Sequence, residues 1–383
     1  MSQYEVKPIS LAQLRTHKSS KWRDYDPDVL PLPVAEMDFP IADPIRDLLL
    51  EMVSNSDLGY LGPIPELGIS FALFAQQRWG WVLDPLEVYA STDVGVGIVE
   101  ILRLLTQPGD RVLLSSPIYH NFYTWVKETK VEKVDVPFLE TSEGWAIDVA
   151  GIEAAYKTGI KVHLLCNPHN PLGRVYAREE LLAIANLAQE HGVVVISDEI
   201  HAPLTFSEST FIPFLSIGDT AQSVGITVTA ASKGWNIPGL KAAIIVTQNP
   251  AMAALMRDLP TALHYRASIL GGFATVVAYE KGTQWLDGAL RTLDSNRFFL
   301  KRLLEEQIPE IVYHVPNCSY LAWLDLSALK LGDNPSRTLL ERGRLALSAG
   351  ESFSPNTPQY VRFNFAASEE VLIEAVQRIR RCL

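Results

Sequence analysis

The sequence predicts an α/β protein: a mostly parallel central sheet flanked by helices, followed by a smaller α/β domain. Two observations carry this. Up to about residue 285, short β-branched runs alternate with helix-like stretches, the pattern of strands joined by crossover helices. Several of those runs are apolar at consecutive positions, such as Val193-Val194-Val195-Ile196 and Val162 to Leu165. Consecutive apolar residues suit strands covered on both faces, which is the situation in a parallel sheet.

Taken in order, Asp43-Pro44 reads as an N-cap and first helical position, opening a helix over Ile45 to Val53. Ser91-Thr92-Asp93-Val94-Gly95-Val96-Gly97 then precedes an apolar helix, Ile98 to Leu105. The spacing predicts a strand over Arg111 to Ser115, a helix around Phe122 to Thr129 and a strand over Val131 to Val136. A helix over Asp148 to Tyr156 leads to the strand Lys161 to Cys166. A helix over Arg178 to His191 leads to the strand Val193 to Ser197. A long helical stretch, Gln284 to Gln307, separates this series from strands near Tyr320 to Leu324 and Tyr360 to Phe365.

Composition bounds the function. The chain has 383 residues, is 48% hydrophobic and 20% charged, and carries a net charge of -11. That charge argues against a broad basic surface for nucleic acid. No apolar run approaches the roughly 20 residues of a membrane helix, and the N-terminus shows no signal-like apolar region. Cys166, Cys318 and Cys382 have neither paired nor metal-like spacing, so a reduced, cytoplasmic setting is expected, and no metal.

Three segments carry chemistry. In Ala231-Ser232-Lys233-Gly234-Trp235-Asn236-Ile237-Pro238-Gly239-Leu240-Lys241, one lysine stands among small residues after the apolar run Val224 to Val228. A lysine aimed into a cleft by a strand end can form a Schiff base with an aldehyde, the use that pyridoxal phosphate (PLP) enzymes make of it. Asp198 ends the strand in Val193 to His201, where α/β sheets place ligands. A carboxylate there could hold the protonated pyridine nitrogen of PLP, or it could cap a helix. Cys166-Asn167-Pro168-His169-Asn170-Pro171-Leu172-Gly173-Arg174 makes a rigid turn after a third strand. From it Asn170 could donate to the cofactor's phenolic oxygen.

Together these motifs resemble the fold-type I PLP-dependent enzymes of the aspartate aminotransferase superfamily, over nearly the whole chain. Leu32-Pro33-Val34-Ala35-Glu36-Met37-Asp38-Phe39-Pro40, Ser116-Pro117-Ile118-Tyr119-His120-Asn121-Phe122 and Gly282-Thr283-Gln284-Trp285-Leu286 resemble its MalY/PatB branch of cystathionine β-lyases and other carbon–sulfur lyases. The resemblance implies Lys233 as the Schiff-base lysine and Asp198 on the pyridinium nitrogen. It puts Asn170 and His201 near the ring oxygen and Tyr119 on the ring face. It implies phosphate binding at a helix N-terminus by the amides of Val94 and Gly95, with help from Ser232 and Lys241. Asp93 departs from the family's usual glycine and would repel a phosphate; Lys241 stands where relatives often carry arginine. Arg362, in Tyr360-Val361-Arg362-Phe363-Asn364-Phe365, is implied to bind the substrate α-carboxylate, an internal salt bridge being the other reading. Ala35 is implied beside the substrate, and Tyr60 at a neighbouring subunit's phosphate in a homodimer with shared sites. Tyr60, Tyr119 and Trp235 are candidate pocket aromatics. The implied domains are 46–285 for PLP and 286–383 as the small domain, which residues 1–45 join.

These residues imply a carbon–sulfur β-lyase acting on cystathionine-like or cysteine-conjugate amino acids. The same residues also suit an aminotransferase of a neutral or aromatic amino acid. Nothing favours a catalytically dead regulator, since Lys233, Asp198 and Arg362 are all present.

Overall fold

The computed structural model describes residues 4–383. Its central sheet has seven strands: β1 (Val88–Ser91), β2 (Arg111–Leu114), β3 (Glu132–Asp135), β4 (Ile160–Cys166), β5 (Val194–Asp198), β6 (Gly225–Thr229) and β7 (Ala243–Val246). Their spatial order is β1-β7-β6-β5-β4-β2-β3. Every pairing is parallel except the two that β7 makes, so one reversed strand lies in an otherwise parallel sheet.

The consecutive apolar runs have the predicted cause. In β2, Val112 and Leu114 pack with Ile98, Ile101 and Leu102 on one face. The intervening Leu113 joins Leu181, Ile184 and Ala185 in the core of the other face. With both faces covered, each fully buried aliphatic side chain contributes about 1.5–3 kcal/mol, and an alternating polar pattern would leave polar groups unpaired.

The helix feeding β5 illustrates local control. Arg178–His191 opens with the Glu180 carboxylate accepting from the Ala177 amide at 2.8 Å. It ends at Gly192 with φ +66°, a left-handed cap that suits glycine. One predicted start shifts: Asp43 is a first-turn residue of the helix Asp43–Ser54, and Ala42 holds the cap position. Proline fits anywhere in a first turn, whose N–H groups have no helical acceptor, so Pro44 does not mark the first position uniquely.

The second sheet is antiparallel, built from β8 (Val312–Tyr313), β9 (Leu321–Asp325), β10 (Ser348–Ala349) and β11 (Tyr360–Asn364) in the order β8-β9-β11-β10. The 25-residue helix Thr283–Gln307 leads from the central-sheet region to it. Near the N-terminus, Leu30–Pro31 pairs in parallel with Leu345–Ala346, attaching that segment to the second sheet's surroundings. Among the described residues no helix is long and apolar enough to cross a membrane.

Candidate active site

A parallel sheet directs the loops after its strands to one edge. Asp93 and Val94 follow β1, Tyr119 follows β2, Asn170 follows β4, Asp198 closes β5, and Ser232 and Lys233 follow β6. Register makes the centre tight: Cys166 pairs with Asp198, and Asp198 with Val228. All these residues but Val228 line one cavity of about 560 Å³, within the range of small-molecule pockets. Arg362 of β11 closes it from the second sheet. A second cleft of about 500 Å³, beside Trp79, Phe211 and the partly exposed pair Arg78–Asp287, holds none of the motif residues.

Lys233 sits in the short helix Ala231–Gly234 and donates from Nζ to the Ala35 carbonyl at 2.7 Å. No carboxylate lies within ion-pair distance of it among the described residues. Burial, with the Arg362 charge next, lowers its pKa from 10.5 to about 8, although Glu36, Asp93 and Asp198 oppose this. Asp198 is 5% exposed. One carboxylate oxygen accepts from the Ile200 amide at 3.1 Å. Burial raises its pKa to about 7 against that amide and the Lys233 charge, and among the described residues no cation stands within ion-pair distance. The predicted alternative of a helix cap does not hold, because only a three-residue turn of 3₁₀ helix, Ala202–Leu204, follows.

Arg362 is 3% exposed and, among the described residues, pairs with no carboxylate. It donates to Asn170 Oδ1 at 3.1 Å, to the Pro33 carbonyl at 2.9 Å and to Ser348 Oγ at 3.4 Å, and its Nε has no partner. The internal salt bridge is therefore absent. Burial lowers its pKa to about 10, the mark of a buried cation awaiting an anion. Its bond to Asn170 Oδ1 fixes that amide with its NH₂ end as the remaining donor. His201, 4% exposed, is pushed down to about pH 3 by burial and by the Lys233 and Arg362 charges, and stays neutral.

Three expectations are corrected. The Gly95 amide is taken: Asp93, as N-cap of the helix Val94–Leu105, accepts from it at 3.0 Å. Aspartate is a strong cap, and this one satisfies a first-turn N–H itself. Nor does Asp93 stand as a bare negative charge at this helix end, because Lys241 pairs with it at 3.1 Å. Trp235 is no pocket residue. It is fully buried, donates to the Gly282 carbonyl at 2.9 Å and packs among Phe74 and Tyr279. Tyr60 does not line its own chain's cavity; it is 89% exposed.

The loop 33–39 forms the remaining wall, and side chains hold every one of its carbonyls except that of Asp38. Asn364 Nδ2 donates to the Val34 and Glu36 carbonyls at 2.7 and 2.6 Å. Asn236 bonds both the amide and the carbonyl of Met37. Ala35 O accepts from Tyr320 Oη at 2.9 Å as well as from Lys233. The sequence reading gave Asn236, Asn364, Tyr320 and Ser348 no role. Their partners lie far away in the chain, so no local spacing could have marked them. Tyr25 and His120 also line the cavity without having been assigned.

Residues 41–379 match the family model for aminotransferase class I and II. The cystathionine beta-lyase of Corynebacterium glutamicum is 33% identical, over 97% of this chain and 99% of its own length. Cystathionine beta-lyase PatB of Bacillus subtilis is 32% identical, over 93% of both chains. Among solved structures, the PLP-bound C-S lyase of Staphylococcus hominis superposes with a TM-score of 0.90 at 26% identity, over 98% of this chain and 97% of that one. With its motif residues gathered at one sheet edge and a match along nearly its whole length, this chain belongs to the aminotransferase class I and II family.

Proposed function

We propose that this cavity is the active site of a PLP-dependent carbon–sulfur β-lyase acting on cystathionine-like or cysteine S-conjugate amino acids. The observation that carries the reading is a set of three ionisable groups, Asp198 and Arg362 buried and Lys233 partly buried, none with an ion-pair partner among the described residues. They are an amine at Lys233, a carboxyl at Asp198 and a guanidinium at Arg362, all facing one cavity. They fit PLP and an amino acid: Asp198 suits the pyridinium, Lys233 the aldehyde, and Arg362, with its unpartnered Nε, the α-carboxylate.

Each residue has a stated task in this reading. Asp198 holds the proton on the ring nitrogen. Asn170 and His201 hydrogen-bond the ring oxygen, and Tyr119 covers the ring face. The Val94 amide, Ser232 and Lys241 receive the phosphate; Lys241 then exchanges part of its contact with Asp93. Bound there, PLP supplies an electron sink for the charge left when the α-proton goes. Lys233, its pKa lowered to about 8 so that a fraction is free amine near neutral pH, takes that proton as general base. Arg362 orients the substrate by its carboxylate, and the loop around Ala35 keeps Lys233 in reach. With a thiolate on the β-carbon, elimination releases a thiol, and pyruvate and ammonia follow. Two of the three cysteines are buried and all are unpaired, which suits a reducing, cytoplasmic setting.

The deciding experiment compares pyruvate release from cystathionine with keto-acid-dependent amino transfer by the same preparation. Pyruvate release should dominate; amino transfer as the faster reaction would make the enzyme an aminotransferase. The active unit is proposed as a homodimer in which Tyr60, exposed on its loop, completes the neighbour's phosphate site. Mixing Lys233→Ala with Tyr60→Phe subunits should restore activity above either parent. If the Tyr60→Phe parent is impaired and subunits exchange without recovery, Tyr60 serves its own chain.

A further inference from the structure

Ser319 lies just before β9 and breaks a local rule. Its φ is +73°, a left-handed conformation that glycine adopts easily and serine does not. The residue is 3% exposed, and it and the preceding Cys318 are bound to the central-sheet region. The Ser319 amide donates to the Leu204 carbonyl at 3.0 Å, the Cys318 amide to Gly173 at 3.1 Å, and Cys318 Sγ to the His201 carbonyl at 3.1 Å. This backbone conformation delivers one side-chain contact: Ser319 Oγ lies 3.0 Å from His201 Nδ1. Glycine would remove the strain and lose that contact.

We infer that Ser319 is a positioning residue for His201: its hydroxyl donates to Nδ1, so the ring proton sits on Nε2 and faces the cavity. His201 lines the cavity, and among the described residues Nε2 has no protein partner. The ring is neutral under the burial and neighbouring charges already described, so it has one proton to place. On Nε2 that proton makes a donor beside Asn170, suited to an anionic ring oxygen. On Nδ1 it would leave a lone pair facing that oxygen, a repulsive arrangement. Because Ser319 precedes the second sheet and His201 follows β5, the contact also ties the second sheet's position to the cofactor-facing donor.

The consequence for PLP rests on the reading of His201 as a ring-oxygen contact; the tautomer does not. The test uses ¹⁵N-histidine-labelled enzyme, with the His201 ring signals assigned by their loss in His201→Gln. In the wild type, with or without PLP, two-bond ¹H–¹⁵N spectra should show the Nε2-protonated form. In Ser319→Gly, which removes the hydroxyl and relaxes the backbone, the signals should move toward a mixture of tautomers while the melting temperature holds or rises. Ser319→Ala, which keeps the strain, must shift them likewise. The affinity of the cofactor-free variants for PLP should fall roughly 5–10-fold, the scale of one neutral hydrogen bond. A wild-type ring protonated on Nδ1, or signals unchanged in both variants, overturns the inference. Shifted tautomers with unchanged PLP affinity would uphold Ser319 and remove His201 from the cofactor.

Discussion

Two lysines hold the same loop, 33–39, in opposite ways. Lys21 is completely buried and pairs with Asp38, 2% exposed, at 2.5 Å; it also donates to the Glu36 carbonyl at 3.3 Å. Lys233 donates to the Ala35 carbonyl, one residue before Glu36, and among the described residues has no carboxylate. Both ammonium groups lose water. Only Lys21 regains a counter-charge, and even so burial still holds Asp38 above its usual range. A paired buried charge positions structure; an unpaired one is left for a ligand. Arg297 and Arg362 repeat the contrast. Arg297 is buried but pairs with the half-exposed carboxylates of Asp294 and Glu208, whereas among the described residues Arg362 has carbonyl, amide and hydroxyl partners but no anion.

The comparison predicts opposite outcomes for the same substitution. Lys233→Ala should leave a folded protein that no longer turns yellow with PLP. Its turnover should fall by at least roughly 10²–10⁴-fold, the contribution of a positioned general base alone. An active, still-yellow variant would sink the assignment. Lys21→Ala strips one partner from a buried pair and should cost about 3–5 kcal/mol of unfolding free energy. Chemical denaturation of both variants checks this: if Lys233→Ala loses as much stability as Lys21→Ala, the distinction between structural and ligand-directed charge fails.

A smaller effect is expected at Arg362. Arg362→Ala removes a cation that has no anion in the protein, so the PLP spectrum should be unchanged while substrate binding weakens. The loss should be about 2–3 kcal/mol, or roughly 30–150-fold, read from spectral titration with a slowly reacting amino acid. Unchanged affinity would make Arg362 a tie between Pro33 and Asn170 only.

The smallest effect is a pH slope in the cofactor-free enzyme. Lys233 has a folded pKa of about 8, below the ordinary 10.5. Between those values the unfolded chain binds more protons, so stability rises with pH from about 8 to 10.5. Asp198 works in the other direction, with about 7 folded against 3.8 unfolded. There the folded chain binds more protons, and stability falls as pH rises from about 3.8 to 7. Lys233→Met should flatten the upper window and Asp198→Asn the lower one, each removing a slope of at most about 1.4 kcal/mol per pH unit. Identical slopes in wild type and variants would mean these groups are better compensated than their surroundings indicate.

Much of the architecture was legible because parallel strands covered on both faces require consecutive apolar residues, and crossover helices require their own period. Val193 to Ser197 and Val162 to Leu165 announced themselves in this way, and strand ends in such a sheet point to one edge. That is why Lys233, Asp198 and Asn170 stood out as candidates at strand ends, while their roles came from the three motifs taken together and the family they resemble. The single reversed strand β7 could not, because an apolar run carries no direction. The occupation of the Gly95 amide by Asp93 was equally hidden: a helix N-terminus invites either a ligand anion or its own cap, and only coordinates distinguish them. Trp235 reads as a pocket aromatic beside Lys233, but the chain's turn there carries it into the core.

The sequence by itself determined the layered α/β fold, the edge where chemistry gathers and the residue types present there, since these follow from local periodicity and strand ends. Only the tertiary structure decided which buried charges have partners. It alone showed that Arg362 has no carboxylate, that Asn236 and Asn364 hold the 33–39 loop, and that a strained Ser319 meets His201. Those facts depend on distances between segments far apart in the chain, and charge compensation and hydrogen-bond direction are properties of such distances rather than of sequence spacing.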